Sequence, residues 1–214
     1  MRYDELTEAR ATNFVPPMSK ESIKEILEER YERYCTPDFI PDDPISTPHR
    51  FSLKEDIEIA GFLTATIAWG NRKSILKSST KMMALMDDQP ADFVLNHQSS
   101  DLQVFSGFVH RTFNEIDIQY FITSLQHVYK NLGGLEEVMC AGKDDSQTMK
   151  SALSYFHNAF FSLEHLRRTQ KHVANPERGS SAKRLNMFLR WMVRDDGRGV
   201  DFGLWKKVPT SILS

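Results

Sequence analysis

The stretch Gly179-Ser180-Ser181-Ala182-Lys183-Arg184-Leu185-Asn186-Met187-Phe188-Leu189-Arg190-Trp191-Met192-Val193-Arg194 decides how the chain reads. Pro176 and Gly179 punctuate the backbone ahead of it, and Ser180 or Ser181 can cap the amides that open a helix. At roughly 100° per residue, Leu185, Phe188, Leu189 and Met192 fall on one side, while Lys183, Arg190 and Arg194 fall within about 40° of one another on the other. The pattern predicts a helix with one core face and one cationic stripe.

Lys183 and Arg184 stand in the first turn of that helix, where the partial positive charge and unpaired N–H groups favour anions instead. Two arrangements would reward such a placement. The helix start with its Lys and Arg could bind phosphate, or the dipole and Arg184 could make Lys183 a usable amine nucleophile. Both side chains could also simply point into water.

The 214 residues suffice for one core, in one or two lobes, and 40% hydrophobic with 26% charged residues is ordinary for a globular protein. No apolar run reaches the ~20 residues of a membrane span, and Met1-Arg2-Tyr3-Asp4-Glu5 lacks a signal-peptide core, which predicts a cytoplasmic protein without membrane partners. Two cysteines, Cys35 and Cys140, suit a reducing compartment and exclude a four-cysteine iron–sulfur cluster. The net charge of -2 is unevenly spread: residues 164–207 hold 11 Lys and Arg against 5 Asp and Glu, and the remainder holds 16 against 24. That asymmetry points to a polyanion on one side.

Along the chain, Ser19 caps a helix carrying Ile23, Ile26, Leu27 and Tyr34, and four prolines between Thr36 and Arg50 predict an extended connection. Residues 1–51 read as an N-terminal arm with that connection, residues 52–195 as the main helical body, and residues 196–214 as the start of a C-terminally incomplete segment. Ser52-Leu53-Lys54-Glu55 reads as a capping box opening a central helix through Ile57, Ala60, Gly61, Thr64 and Ile67. Trp69-Gly70-Asn71-Arg72-Lys73 interrupts it, with Asn71 as the next cap. Trp69, Asn71 and Arg72 could reach into nucleic acid, or Trp69 could close the core of its helix. Further helices are expected from Pro90, from Ile116 to Gly133-Gly134, over Leu135 and Val138, and from Met149 to Phe160, with a turn at Ala141-Gly142-Lys143-Asp144-Asp145. Sustained period-two alternation is missing, so the fold class is all-α.

The seven histidines include no HExxH or HxH pair, and no GxSxG, Walker-type or GxGxxG motif is present. No metal and no cofactor is expected. The Gly179–Arg194 stretch, with Trp205 soon after, resembles the signature of the bacterial domain of unknown function 2400 family over nearly the whole chain. More distantly, Gly179 to Leu189 is similar to the Gly-x-Gly-x-Lys turn and helix of helix-hairpin-helix DNA glycosylases, whose lysine four residues after the first glycine is the Schiff-base nucleophile. Lys183 stands four after Gly179, and Ser181 takes the place of the second glycine. Trp69-Gly70-Asn71-Arg72 resembles the turn that fills the gap left by a flipped base, and Phe108-Val109-His110-Arg111 with the helix after it resembles the middle of that helical barrel.

The resemblance implies a two-lobed helix-hairpin-helix DNA glycosylase-like fold and a base-excision-repair-like protein acting on double-stranded DNA with a damaged base. It assigns catalysis to Lys183, with Asp201 or an aspartate beyond Ser214 as the stabilising carboxylate. DNA contacts fall to Gly179, Ser181, Arg184, Arg190, Arg194, Trp69, Asn71 and Arg72. The alternatives are a non-catalytic nucleic-acid-binding helical module and a helical protein-interaction domain.

Overall fold

A computed structural model describes residues 18–143 and 148–209, and the chain divides after Cys35 into two compact units. The first contains helix α1, Lys20–Tyr34. Ser19 caps it as expected, its hydroxyl accepting the Ser22 N–H at 3.1 Å. No residue of α1 is buried, and Leu27, expected on a packing face, is 62% exposed.

The second unit opens on the proline-rich stretch, which is not extended. It winds into three 3₁₀ turns, Pro37–Asp42, Pro44–Ser46 and Pro48–Arg50, each with a proline at its first position, where the missing N–H costs nothing. Pro44, Ile45 and Pro48 are buried, so this stretch packs with the main body.

Helix α2, Lys54–Ile67, is the centre of that body, and every residue from Asp56 to Ile67 is buried. Ser52 does not cap it. The helix starts at Lys54, which puts Leu53 at the cap position with no side-chain acceptor, and Glu55 and Asp56 in the first turn supply the negative charge that favours a helix start. Asp56 instead accepts the Ala91 N–H at 2.8 Å and so caps a different helix.

Helix α3, Arg72–Ala84, begins at the expected cap Asn71, and the short α4, Pro90–Asn96, follows. A two-residue ladder of β1, Val109–His110, with antiparallel β2, Phe113–Asn114, turns through Arg111 at φ 55°. Helix α5, Glu115–Asn131, is opened by a reciprocal capping box between Asn114 and Asp117. Helices α6, Leu135–Ala141, and α7, Lys150–Phe160, pack on each other and on α5. Helix α8, Lys183–Val193, packs on α2. The regular elements among the described residues are thus helices apart from the one short ladder, which makes the fold all-α. The turn after Ala141 is described only as far as Lys143, and the apolar end Ile212-Leu213-Ser214 lies outside the described residues.

Aromatic packing fixes how α8 meets α2. The Phe62 ring of α2 is surrounded by Phe121, Phe156, Phe160 and Phe188 at centroid distances of 5.9, 5.6, 5.4 and 5.7 Å. Next to it, a Cβ on Gly61 would lie 3.2 Å from Phe188 and 3.3 Å from the Met192 methyl. The missing side chain is what lets α8 approach this closely. Gly61→Val is therefore expected to destabilise the fold by about 1–3 kcal/mol through overpacking, read as a lower urea midpoint with an unchanged slope.

A buried carboxylate then ties two segments to α2. Glu58, 2% exposed, accepts the Trp205 indole N–H and the Tyr129 hydroxyl, each at 2.6 Å, and Lys54 stands 3.7 Å away. Glu136 of α6 accepts the Lys54 ammonium at 2.6 Å and the Lys206 and Lys207 N–H groups at 2.9 and 3.2 Å. Burial pushes the Glu58 carboxyl above its ordinary 4.5 despite these donors. Folding thus takes up a proton between 4.5 and the raised value, and the stability Glu58 contributes falls as pH rises across that interval. Glu58→Ala leaves two buried donors unpaired and is expected to cost about 3 kcal/mol in chemical unfolding. Glu58→Gln is expected to cost less and to remove this part of the pH dependence.

Candidate functional site

Helix α8 opens without a side-chain cap. Ala182, at φ 47°, is the cap residue, and Ser180 Oγ accepts the Ala182 N–H at 3.2 Å, one residue short of the helix. The expected serine cap is spent tightening the turn, because the left-handed Ala182 directs the chain into α8 from a different angle. Gly179 makes the preceding turn at φ 80°, and Ser181 lends its carbonyl to the Asn186 amide at 3.2 Å. Ahead of the turn lie 3₁₀ segments, Arg167–His172 and Pro176–Arg178, where a hairpin of two α-helices would have its first helix.

The two cations of the first turn have separate fates. Arg184 reaches across to α2, donates to the Thr66 carbonyl, and lays its guanidinium 4.7 Å from the centre of the Trp69 ring. Thr66 lies in the last turn of α2, where carbonyls lack intrahelical donors and the dipole is negative. Arg184 therefore completes the end of another helix, and burial lowers its pKa. Lys183 is exposed and makes no ion pair or hydrogen bond with the described residues. It lines a pocket of about 140 Å³ together with Thr66, His172, Ser180, Ser181 and Arg184.

The wall of this pocket is held from behind by a network that sequence reasoning missed. Asp117 is fully buried at the start of α5 and accepts the Thr169 hydroxyl at 2.8 Å and the Asn114 N–H at 3.0 Å. The Arg168 guanidinium lies 3.0 Å from it, and His172 Nε2 lies 3.2 Å from it in an off-axis contact between ring and carboxylate. Burial pushes the Asp117 carboxyl up, but the adjacent His172 ring and the Thr169 and Asn114 donors outweigh it and hold it below the ordinary range. The His172 ring stacks on Trp69 at 6.0 Å, and His110 meets the same indole edge-on at 5.4 Å. The Asn-x-x-Asp spacing of residues 114–117 is a readable capping signal, but nothing local ties it to a histidine 55 positions on.

Trp69 is half-buried, clamped between His110, His172 and Arg184. Gly70 follows at φ 97°, with the Arg111 guanidinium occupying the space a side chain would need. Asn71 is engaged as the cap of α3, accepting the Ser74 N–H at 3.2 Å, and Arg72 stands 3.9 Å from Asp43.

The two arginines of the cationic stripe are not free. Asp201, its side chain 1% exposed, accepts Arg190 Nε at 3.2 and 3.1 Å through its two oxygens and sits 3.4 Å from Arg194, which also pairs with Asp196 at 2.8 Å. Burial raises the Asp201 carboxyl, while Arg190 and Arg194 pull it back down. Arg190 lies two turns, about 10 Å, along α8 from Lys183, and Asp201 does not line the Lys183 pocket. Lys183, Arg184, Ser181 and Trp69 are thus brought together, and Arg190, Arg194 and Asp201 form a separate ion cluster. Helical periodicity places the arginines correctly, and what it lacks is the backbone course that returns Asp201 to them.

Among the described residues, no group of three or more His, Cys, Asp or Glu side chains is arranged to hold a metal ion, and no helix is long and apolar enough to cross a membrane. Cys35 and Cys140 are both free of a disulfide. No curated protein and no solved structure is significantly similar to the chain. Residues 43–214 do match one family, described as protein of unknown function, DUF2400. With that match spanning most of its length, the chain belongs to the DUF2400 family.

Proposed function

We propose that this protein binds double-stranded DNA at the start of α8 and acts there as a base-excision-type DNA glycosylase with lyase activity, in the cytoplasm. The observation that carries the reading is the separation of the two first-turn cations. Arg184 is consumed by α2, whereas Lys183 stands unpaired on the rim of a pocket whose lining contains no carboxylate. An amine so placed next to a helix N-terminus can meet an anionic sugar-phosphate backbone.

The damaged nucleotide is rotated out of the duplex, because its glycosidic bond is inaccessible in the stack, and unstacking costs a few kcal/mol that backbone contacts must offset. Unprotonated Lys183 Nζ attacks C1′ of the deoxyribose. The C1′–N bond to the base breaks, and the base leaves with that electron pair and a proton. Opening of the sugar ring with loss of the second amine proton gives an imine. Loss of a C2′ proton from it expels the 3′ phosphate and cuts the strand. Trp69 is clamped between His110, His172 and Arg184, which holds Arg184 in place beside Lys183.

A second reading, a non-catalytic nucleic-acid-binding module, is favoured by one observation: Asp201 is held by Arg190 and Arg194, so no carboxylate among the described residues faces Lys183 to stabilise a cationic sugar. The test is borohydride trapping on duplex DNA carrying an abasic site. The enzyme reading expects a covalent product with the unmodified chain and none with Lys183→Gln. Equal trapping of both removes Lys183 from the chemistry, and binding without any trapping supports the module.

A further inference from the structure

Of the amphipathic stripe only Lys183 is available to a polyanion, and the other available cations lie off it. Beside the Lys183 pocket lies a second, wider one of about 300 Å³, lined by His157, Gln170, Lys171, Asn175, Arg178 and residues shared with the first. The shared residues are Ala174, Ser180 and Arg184, so the two hollows form one continuous trough on either side of the Arg184 side chain. Along it stand Lys171, Arg178, Arg184 and Lys183, and neither hollow has an Asp or Glu in its lining. Lys171 and Arg178 are exposed and, among the described residues, have no ion pair or hydrogen bond. Glu177, next to Arg178 in the chain, does not line the trough. Charge repulsion among cations with no local counterion is relieved by an anion from outside.

The floor is built rather than incidental. Asn175 is buried, and its side-chain oxygen accepts the Glu177 N–H and the Ser154 hydroxyl, each at 3.0 Å, which fixes the turn presenting Arg178. His157, also buried, is anchored through Nδ1 to the Val173 carbonyl at 3.0 Å. The walls are therefore held while the cationic tips remain in solvent.

We propose that this trough is the track for one phosphodiester strand of duplex DNA, with Lys171 and Arg178 contacting the phosphates next to the nucleotide presented to Lys183. The inference rests on the reading of the protein as DNA-binding, and it moves the electrostatic contact away from Arg190 and Arg194, whose charges are spent on Asp201 and Asp196.

Fluorescence anisotropy with a duplex containing a tetrahydrofuran abasic analogue, measured over a series of salt concentrations, tests it on the full chain. Every phosphate that the protein no longer neutralises is expected to reduce the slope of log K against log salt by about one, so Lys171→Gln with Arg178→Gln should reduce it by about two. Arg190→Gln with Arg194→Gln should leave the slope unchanged, with circular dichroism checking that this variant folds. Because Lys171 and Arg178 are surface residues, their variant keeps the fold and decides the matter alone. Tight binding with an unaltered slope in that variant overturns the trough while leaving DNA binding intact. No binding by the unmodified chain at low salt overturns the DNA reading and the trough with it.

Discussion

The site depends on one junction between two helices. The end of α2 exposes carbonyls that its own backbone cannot satisfy, and Arg184, from the start of α8, supplies the donor to Thr66 and covers Trp69 with its planar guanidinium. A cation at a helix N-terminus is locally unfavourable, yet the same cation at the C-terminus of its neighbour is favourable. The apparent violation in α8 is resolved between elements rather than within one. Arg184 is fixed there, while Lys183, the residue before it, stays exposed and lines the pocket.

The packing beneath this junction is what makes its geometry reproducible. Gly61 lets α8 approach α2, Phe62 gathers rings from α5, α7 and α8, and Glu58 holds Trp205 and Tyr129. A buried carboxylate with two 2.6 Å donors is a costly way to build a core and a specific one, because only one arrangement of α5 and the C-terminal loop satisfies it. Asp117 plays the matching role for His172 on the other wall.

Helical periodicity makes much of this legible from the residues. The core faces of α2, α5, α7 and α8, the cap at Asn71 and the small-residue approach at Gly61 all follow from spacing, because such patterns are local. What is not legible is long-range. Ser52 has the right neighbours for a cap but stands one residue too early. Asp201 looks available as a catalytic carboxylate, but only the folded loop brings it back to Arg190. The Asp117–His172 contact and the Glu58–Trp205 bond, 147 residues apart, leave no trace in any window of sequence.

The paired cations divide their labour, Arg184 holding α8 to α2 and Lys183 left unpaired at the pocket. Urea unfolding of Arg184→Gln and Lys183→Gln, measured side by side, addresses it without assuming any activity. The account predicts a loss of at least about 1 kcal/mol for Arg184→Gln and a change within about 0.5 kcal/mol for Lys183→Gln. Equal losses, or a larger one at Lys183, would contradict it.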